Sequence, residues 1–214
     1  SSPNVERLVQ VIQMAASLLA KDKEPEASGD PLLLAAEQAF NAAYKSEKAE
    51  IVNDITGLSD PAMIEVCADT GVGVVIMHMQ GEPQTMQTAP SYDDAPAEVF
   101  EFLAGQAEAL MDGGMVPDNI CLDPGIGFGK NLDHNLQIMA RLAELVDAGW
   151  PVLLGASRKS FISKLTGAEV DQRLGGSLAA VMAGFGAGVS IFRVHDVAET
   201  VQALAVADAI SHAL

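Results

Sequence analysis

The sequence predicts an α/β fold of repeated strand–helix units, and three observations carry that prediction. From residue 50 onward, five short runs rich in Val, Ile and Leu recur, at 50–55, 73–79, 120–125, 151–157 and 189–195. Each meets a polar or glycine-rich turn and is followed by amphipathic helical periodicity, over roughly 61–70, 95–112, 133–148, 159–187 with an interruption, and 197–213. Each also ends in a chemically capable group: Asn53-Asp54, His78, Asp123, Ser157-Arg158-Lys159 and Arg193-Val194-His195. Strands that read as continuous aliphatic runs are buried on both faces, the condition of a parallel sheet covered by helices.

The distribution of polar groups selects between the two architectures that such units build. An open doubly wound sheet gathers its functional groups at one switch point, whereas a (β/α)8 TIM barrel takes them from the carboxyl ends of many strands. Here every strand end is loaded, so the barrel is expected. The first 50 residues differ. An amphipathic helix over 5–20 leads into a charged loop over 21–30, and a second helix over 31–48 opens on Pro31, a residue suited to a first helical turn. No strand is legible there, so only five of the eight expected strands are found and the barrel reads as incomplete at its N-terminal end.

Composition narrows the function. The 214 residues are 49% apolar, enough to bury one sizeable core, and a single domain is expected over 1–214, with 1–49 its divergent part. Twelve basic against 29 acidic residues leave a net charge of −17, which excludes the clustered basic surface of a nucleic-acid binder. Any basic cluster is therefore notable. Cys67 and Cys121 each stand in an apolar stretch and read as small buried hydrophobes. With no secretory pattern at the N-terminus, a reducing cytoplasm is expected. The uncharged run 174–192 has the length of a membrane span, but its glycines make it a buried helix followed by a buried strand, so no membrane is expected.

Three clusters carry the chemistry. In DPGIGFGK, 123–130, Asp123 ends a strand and can accept two parallel hydrogen bonds from a planar donor pair such as an amino-pyrimidine edge. Its alternate glycines let the backbone turn and approach a flat ligand; the bland alternative is a glycine turn capped by Asp123. A phosphate-binding P-loop is excluded, since Pro124 replaces its first glycine and Asn131 its final Ser or Thr. In GASRKSF, 155–161, the chain leaves a strand and enters a helix, whose free N–H groups, with Arg158 and Lys159, suit a carboxylate or phosphate. Arg193 and His195 stand two apart on a strand and share a face, an arrangement for pyrophosphate or for an ion pair with Asp196 or another strand-end acid.

Two further segments are ambiguous. In MHMQG, 77–81, Met77 or Met79 can floor a heterocycle pocket or simply fill core, and His78 reads rather as a structural histidine. Asn53 both donates and accepts, as a ring with lone pairs and N–H groups requires, or merely ends its strand.

Taken together, IVNDITGLSDPAM (51–63), VIMHMQGEPQTMQ (75–87), LDPGIGFGKNLDHN (122–135), GASRKSFI (155–162), RLGGSLAA (173–180) and RVHDVAET (193–200) resemble dihydropteroate synthase, a pterin-binding family, in order and spacing over about 50–214. The resemblance implies a (β/α)8 barrel and a transferase of folate biosynthesis that joins p-aminobenzoate to a dihydropterin methyl pyrophosphate, expels pyrophosphate and is a sulfonamide target. It implies that Asn53 and Asp123 hold the pterin edge, that Met77 and Phe128 line its ring, and that Gly155 belongs to the substrate-binding set. Lys159 would reach the pterin and the aminobenzoate side, Ser160 the aminobenzoate carboxylate, and Arg193 and His195 the pyrophosphate, so Lys159, Arg193 and His195 form the expected catalytic set. It further implies Mg²⁺ as cofactor and a homodimer through late helices.

The departures from the family are at the start. Its first two strands, with the Asn-Val-Thr-Pro-Asp-Ser-Phe and Ser-Thr-Arg-Pro-Gly loops, have no counterpart, so no metal ligand is identifiable. Its third strand is replaced by 21–30, with Asp30 as a candidate substitute for a pterin-binding Asp. Two other readings stand beside the synthase: a non-catalytic or shortened pterin-binding paralogue, and a corrinoid methyltransferase on a related barrel. The latter leaves the SRKS helix start and the RVH strand end without a ligand.

Overall fold

The computed structural model describes residues 51–82 and 85–213. The expectations for 5–20, 21–30 and 31–48, and for Asp30, lie outside these residues.

All five predicted strands form, and all pair in parallel: β1 (Ile51–Asp54), β2 (Gly73–Met77), β3 (Ile120–Asp123), β4 (Leu153–Leu154) and β5 (Ile191–Phe192). A parallel bridge between Leu122 and Val152, with the Leu122 N–H donating to Pro151 O at 2.9 Å, joins β3 to β4. Neighbours in space therefore follow the order β1-β2-β3-β4-β5 of the sequence. A doubly wound sheet reverses direction at a switch point; here each new strand joins the same edge. The described strands are consecutive staves of a TIM-type barrel wall.

Seven helices follow among the described residues: α1 (Pro61–Thr70), α2 (Ala95–Asp112), α3 (Leu132–Ala140), α4 (Leu142–Val146), α5 (Ser160–Thr166), α6 (Leu174–Gly186) and α7 (Val197–Ser211). Their limits have local causes. Asp60 accepts from the Ala62 N–H and Asp94 from the Ala97 N–H, each satisfying an amide that a helix start leaves free. Asn131 and His134 form a reciprocal cap on α3. Gly71 and Gly167 end α1 and α5 in the left-handed region, at φ 67° and 73°. The single helix predicted over 133–148 breaks at Arg141, whose guanidinium holds Glu144 and Asp94. The interruption expected within 159–187 is a 3-10 turn at Val170–Gln172.

Alternation along the strands sorts two apolar layers. Val52, Val74, Ile76, Leu122, Val152, Leu154 and Phe192 point at the helices and merge with Val99, Leu103, Ile138 and Val181 into the main core. Truncating a fully buried member such as Leu122 to Ala would cost roughly 2–5 kcal/mol. The opposite face carries Val75, Cys121 and Leu153, flanked by Ile51 and Ile191. Cys67 and Cys121 are both free and buried, as expected. Among the described residues no helix is long and apolar enough to cross a membrane.

Candidate active site

Register brings the predicted residues together. Met77 pairs with Asp123, and Asn53 stands beside Val75 one step lower, on the face opposite the helices. Leu153 pairs with Ile191, and the Arg193 N–H donates to Leu154 O at 3.1 Å, so the same parity carries Gly155 and Arg193 onto that face. Five residues from the carboxyl ends of five strands thus share the face that also carries Val75, Cys121 and Leu153, with Asn53 level with Val75 and Asp123 level with Met77. A cavity of about 360 Å³ opens instead at the amino ends of the strands, lined by Ile51, Gly73, Val75 and Ile191, and includes none of these five residues.

Asp123 is 2% exposed. Its Oδ1 accepts from the Gly125 N–H at 2.8 Å, and among the described residues Oδ2 has no hydrogen-bond partner. Burial pushes its carboxyl above the ordinary value, opposed by the Gly125 N–H and by the fields of Arg193, Lys159 and Lys130. Two polar atoms on this face are buried without a partner among the described residues: Asn53 Oδ1 and Arg193 Nε. Such atoms cost free energy unless a ligand satisfies them.

The cationic side is built around Phe128. Lys159 Nζ lies 4.1 Å from the centre of the Phe128 ring, and its side chain runs beside Gly127. Burial, then the neighbouring Arg193, lowers the Lys159 ammonium to about 8. The Arg193 guanidinium lies against Gly155, where a β-carbon would stand 3.0 Å from Nη2. Ser160 is exposed at the start of α5, which has no side-chain cap. His195 is exposed, with Nδ1 3.0 Å from Ser157 Oγ, which also accepts the His195 N–H at 3.2 Å. Burial, then Arg158, lowers its imidazole.

Two expectations are corrected, for Arg158 and for the glycines, and the structural reading of His78 is kept. Arg158 is not free for an anion: it sits at φ 56° and its guanidinium binds both oxygens of Asp196. Asp196, one of the acids expected as a partner for Arg193 or His195, is thereby taken. Gly125 and Gly129 serve backbone packing rather than ligand approach, since β-carbons there would lie 2.0 Å from His78 O and 2.3 Å from Gln80 O. His78 is structural: it is buried, meets Phe102 edge-on at 5.1 Å, and faces Lys130 Nζ through Nδ1 at 3.0 Å. Burial, then Lys130, holds it down to about 3.

Sequence reasoning gave no separate role to Lys130 or Asn135. Asn135 Oδ1 accepts from the Gly127 N–H at 2.7 Å and fixes the glycine loop from the side of α3. Its only sequence signal is its place four residues after the cap Asn131.

The acids near this face do not offer a donor set for Mg²⁺. Asp54 is occupied by Thr56 and Leu58, Asp196 by Arg158, and Asp123 lies among cations. Among the described residues no group of three or more His, Cys, Asp or Glu is arranged to hold a metal.

The model of the pterin binding enzyme family matches residues 35–195, three-quarters of the chain. The chain belongs to this family. Over 161 residues it is 48% identical to the dihydropteroate synthase of Escherichia coli (strain K12), covering 75% of this chain and 57% of that relative. It is also 39% identical over 157 residues to a Mycobacterium leprae protein named inactive dihydropteroate synthase 2, covering 71% of this chain and 54% of that protein. Among solved structures, the Thermus thermophilus dihydropteroate synthase in complex with 6HMPPP superimposes with a TM-score of 0.75 at 43% identity, over 83% of this chain and 69% of that one. The chain therefore spans somewhat more than half the length of the curated relatives it matches. The resemblance seen in its motifs, and the barrel it implied, both hold.

Proposed function

We propose that the chain carries the substrate face of a dihydropteroate synthase, condensing 6-hydroxymethyl-7,8-dihydropterin pyrophosphate with p-aminobenzoate to 7,8-dihydropteroate and pyrophosphate. The observation that carries this reading is that one face of the sheet holds the buried Asp123 carboxylate, whose Oδ2 has no partner among the described residues, together with Asn53 Oδ1 and Arg193 Nε, both buried and unpartnered among the described residues. Asp123 accepts the paired N–H donors of the pterin edge, and Asn53 reads its mixed donors and acceptors. Met77 and Phe128 line the ring, and Lys159, held over Phe128, reaches toward both substrates. Ser160 and the start of α5 receive the aminobenzoate carboxylate.

In the reaction the bond between methylene carbon and pyrophosphate oxygen breaks as the aminobenzoate nitrogen bonds to that carbon, and the nitrogen then loses a proton to solvent. No protein nucleophile is required. Arg193 and His195, with Gly155 leaving room for the guanidinium, stabilise the charge growing on the departing pyrophosphate, and the rest is positioning. Mg²⁺ would supply further neutralisation in this family, but the described residues do not fit it, and no step here depends on it. Val206 and Ile210 stay exposed on α7 and are surface for the expected homodimer, to be read by sedimentation.

The test incubates the 214-residue chain with Mg²⁺, the pterin pyrophosphate and p-aminobenzoate and measures pyrophosphate release. Release supports the synthase. Pterin binding without release favours the second reading, a non-catalytic pterin-binding protein, to which the likeness to the inactive M. leprae protein lends weight. Absence of pterin binding overturns both.

A further inference from the structure

Lys130 is 1% exposed and stands among the largest fully buried side chains, yet no salt bridge reaches it among the described residues. Withdrawing an ammonium from water costs several kcal/mol unless its protons are all used. Burial lowers Lys130 to about 7, and its Nζ, with at most three protons, lies within hydrogen-bond reach of four neutral acceptors: His78 Nδ1 at 3.0 Å, His78 O at 3.2 Å, Gly125 O at 3.1 Å and Phe128 O at 3.0 Å. A hydrophobic side chain of similar size would avoid the desolvation but would take the donor from His78 Nδ1, His78 O and Phe128 O, while Gly125 O would keep the Phe128 N–H at 3.0 Å. The four belong to two loops. His78 follows Met77 at the end of β2, while Gly125 and Phe128 follow Asp123 at the end of β3.

The same two loops are pressed together along their backbones. At Gly125 and Gly129 there is no space for a β-carbon against His78 and Gln80. Tyr92 Oη donates to Gly129 O at 2.8 Å and Gln87 Nε2 to Gly127 O at 2.6 Å, so the segment after β2 also straps the glycine loop from outside. Phe128 is the residue whose carbonyl Lys130 holds and whose ring carries Lys159. Met77, one residue before His78, is the direct strand partner of Asp123.

We propose that Lys130 is a positioning residue: its Nζ pins the loop after β3 to the end of β2, and thereby fixes the Phe128 ring beneath Lys159 and Met77 beside Asp123. The ligand-facing part of this statement rests on the pterin reading given above. Lys130 touches no substrate itself, and its contribution is to pocket geometry. A displacement of about 1 Å in such a pocket can cost on the order of 100-fold in rate.

The experiment uses the whole chain with Lys130→Met, read in two ways. Fluorescence titration with the pterin pyrophosphate is expected to give a Kd raised about tenfold or more, in protein that still unfolds cooperatively. NMR is expected to give a smaller upfield ring shift of the Lys159 side-chain protons, because the Phe128 ring has moved. A folded variant with wild-type Kd and wild-type Lys159 shifts overturns the proposal and leaves Lys130 a stability element only. If Lys130→Met does not fold, His78→Leu removes one acceptor at lower cost; a weakened Lys159 ring shift supports the proposal, and an unchanged one overturns it. Wild-type protein that binds no pterin overturns the functional reading alone, since the Lys159 shift still reports whether Lys130 positions Phe128.

Discussion

The Arg193 guanidinium lies across Gly155 so closely that a β-carbon there would stand 3.0 Å from Nη2 and 3.3 Å from Nε. Gly155 does not adopt a positive φ, so its backbone accepts alanine and the conflict falls on the guanidinium alone. Gly155→Ala is therefore expected to weaken binding of the pterin pyrophosphate about tenfold or more while moving unfolding stability by less than about 1 kcal/mol. Calorimetric titration beside a urea melt measures both. Wild-type affinity in this variant would remove Arg193 from the pyrophosphate site.

Asp123→Asn keeps an oxygen for the Gly125 N–H but replaces the second acceptor by a donor. Two donors of a pterin edge would then meet only one acceptor. Pterin affinity is expected to fall by about 100-fold, the cost of an unmatched buried group at roughly 1–3 kcal/mol or more. Normal pterin binding would show that the pterin edge lies elsewhere.

Lys159 titrates at about 8, lowered from 10.5 mainly by burial. Its attraction for a carboxylate exists while it is protonated, so aminobenzoate affinity is expected to be steady below pH 7 and to decline as pH rises through 8. Lys159→Arg, charged at every accessible pH, should flatten that profile. Competition by a sulfonamide measured from pH 6.5 to 9.5 would reveal the same dependence, and a flat wild-type profile would contradict it.

His78 is held neutral in the folded protein down to about 3, while its unfolded value is 6.5. Below 6.5 the unfolded chain binds the extra proton, so this contribution is fully present above pH 6.5 and is lost as pH falls toward 3. The loss between pH 6.5 and 4 is on the order of 3 kcal/mol. Urea midpoints of wild type and His78→Gln should converge on acidification through this window. Parallel curves would mean that His78 titrates normally.

How far the site was legible depended on the reach of each interaction. Asp123 and Arg193 announced themselves because a charge at the end of a buried strand is locally anomalous, whereas Gly155 came only from the family resemblance. Asn53 and Met77 were ambiguous until pairing to Val75 and Asp123 gave them a face. Arg158 and Lys159 looked alike as neighbours in sequence. The left-handed backbone at Arg158 turns one guanidinium to Asp196, 38 residues away, and leaves Lys159 over Phe128.

What the sequence alone determined is the alternation of strand and helix, the limits of most elements and the identity of the chemically capable strand ends, because periodicity and capping act over a few residues. Only the tertiary structure decided the use of Lys130, His78 and the glycines of the loop. Their partners come from adjacent strands up to 52 residues away, and no local pattern distinguishes a glycine that admits a ligand from one that admits the backbone of a neighbouring loop.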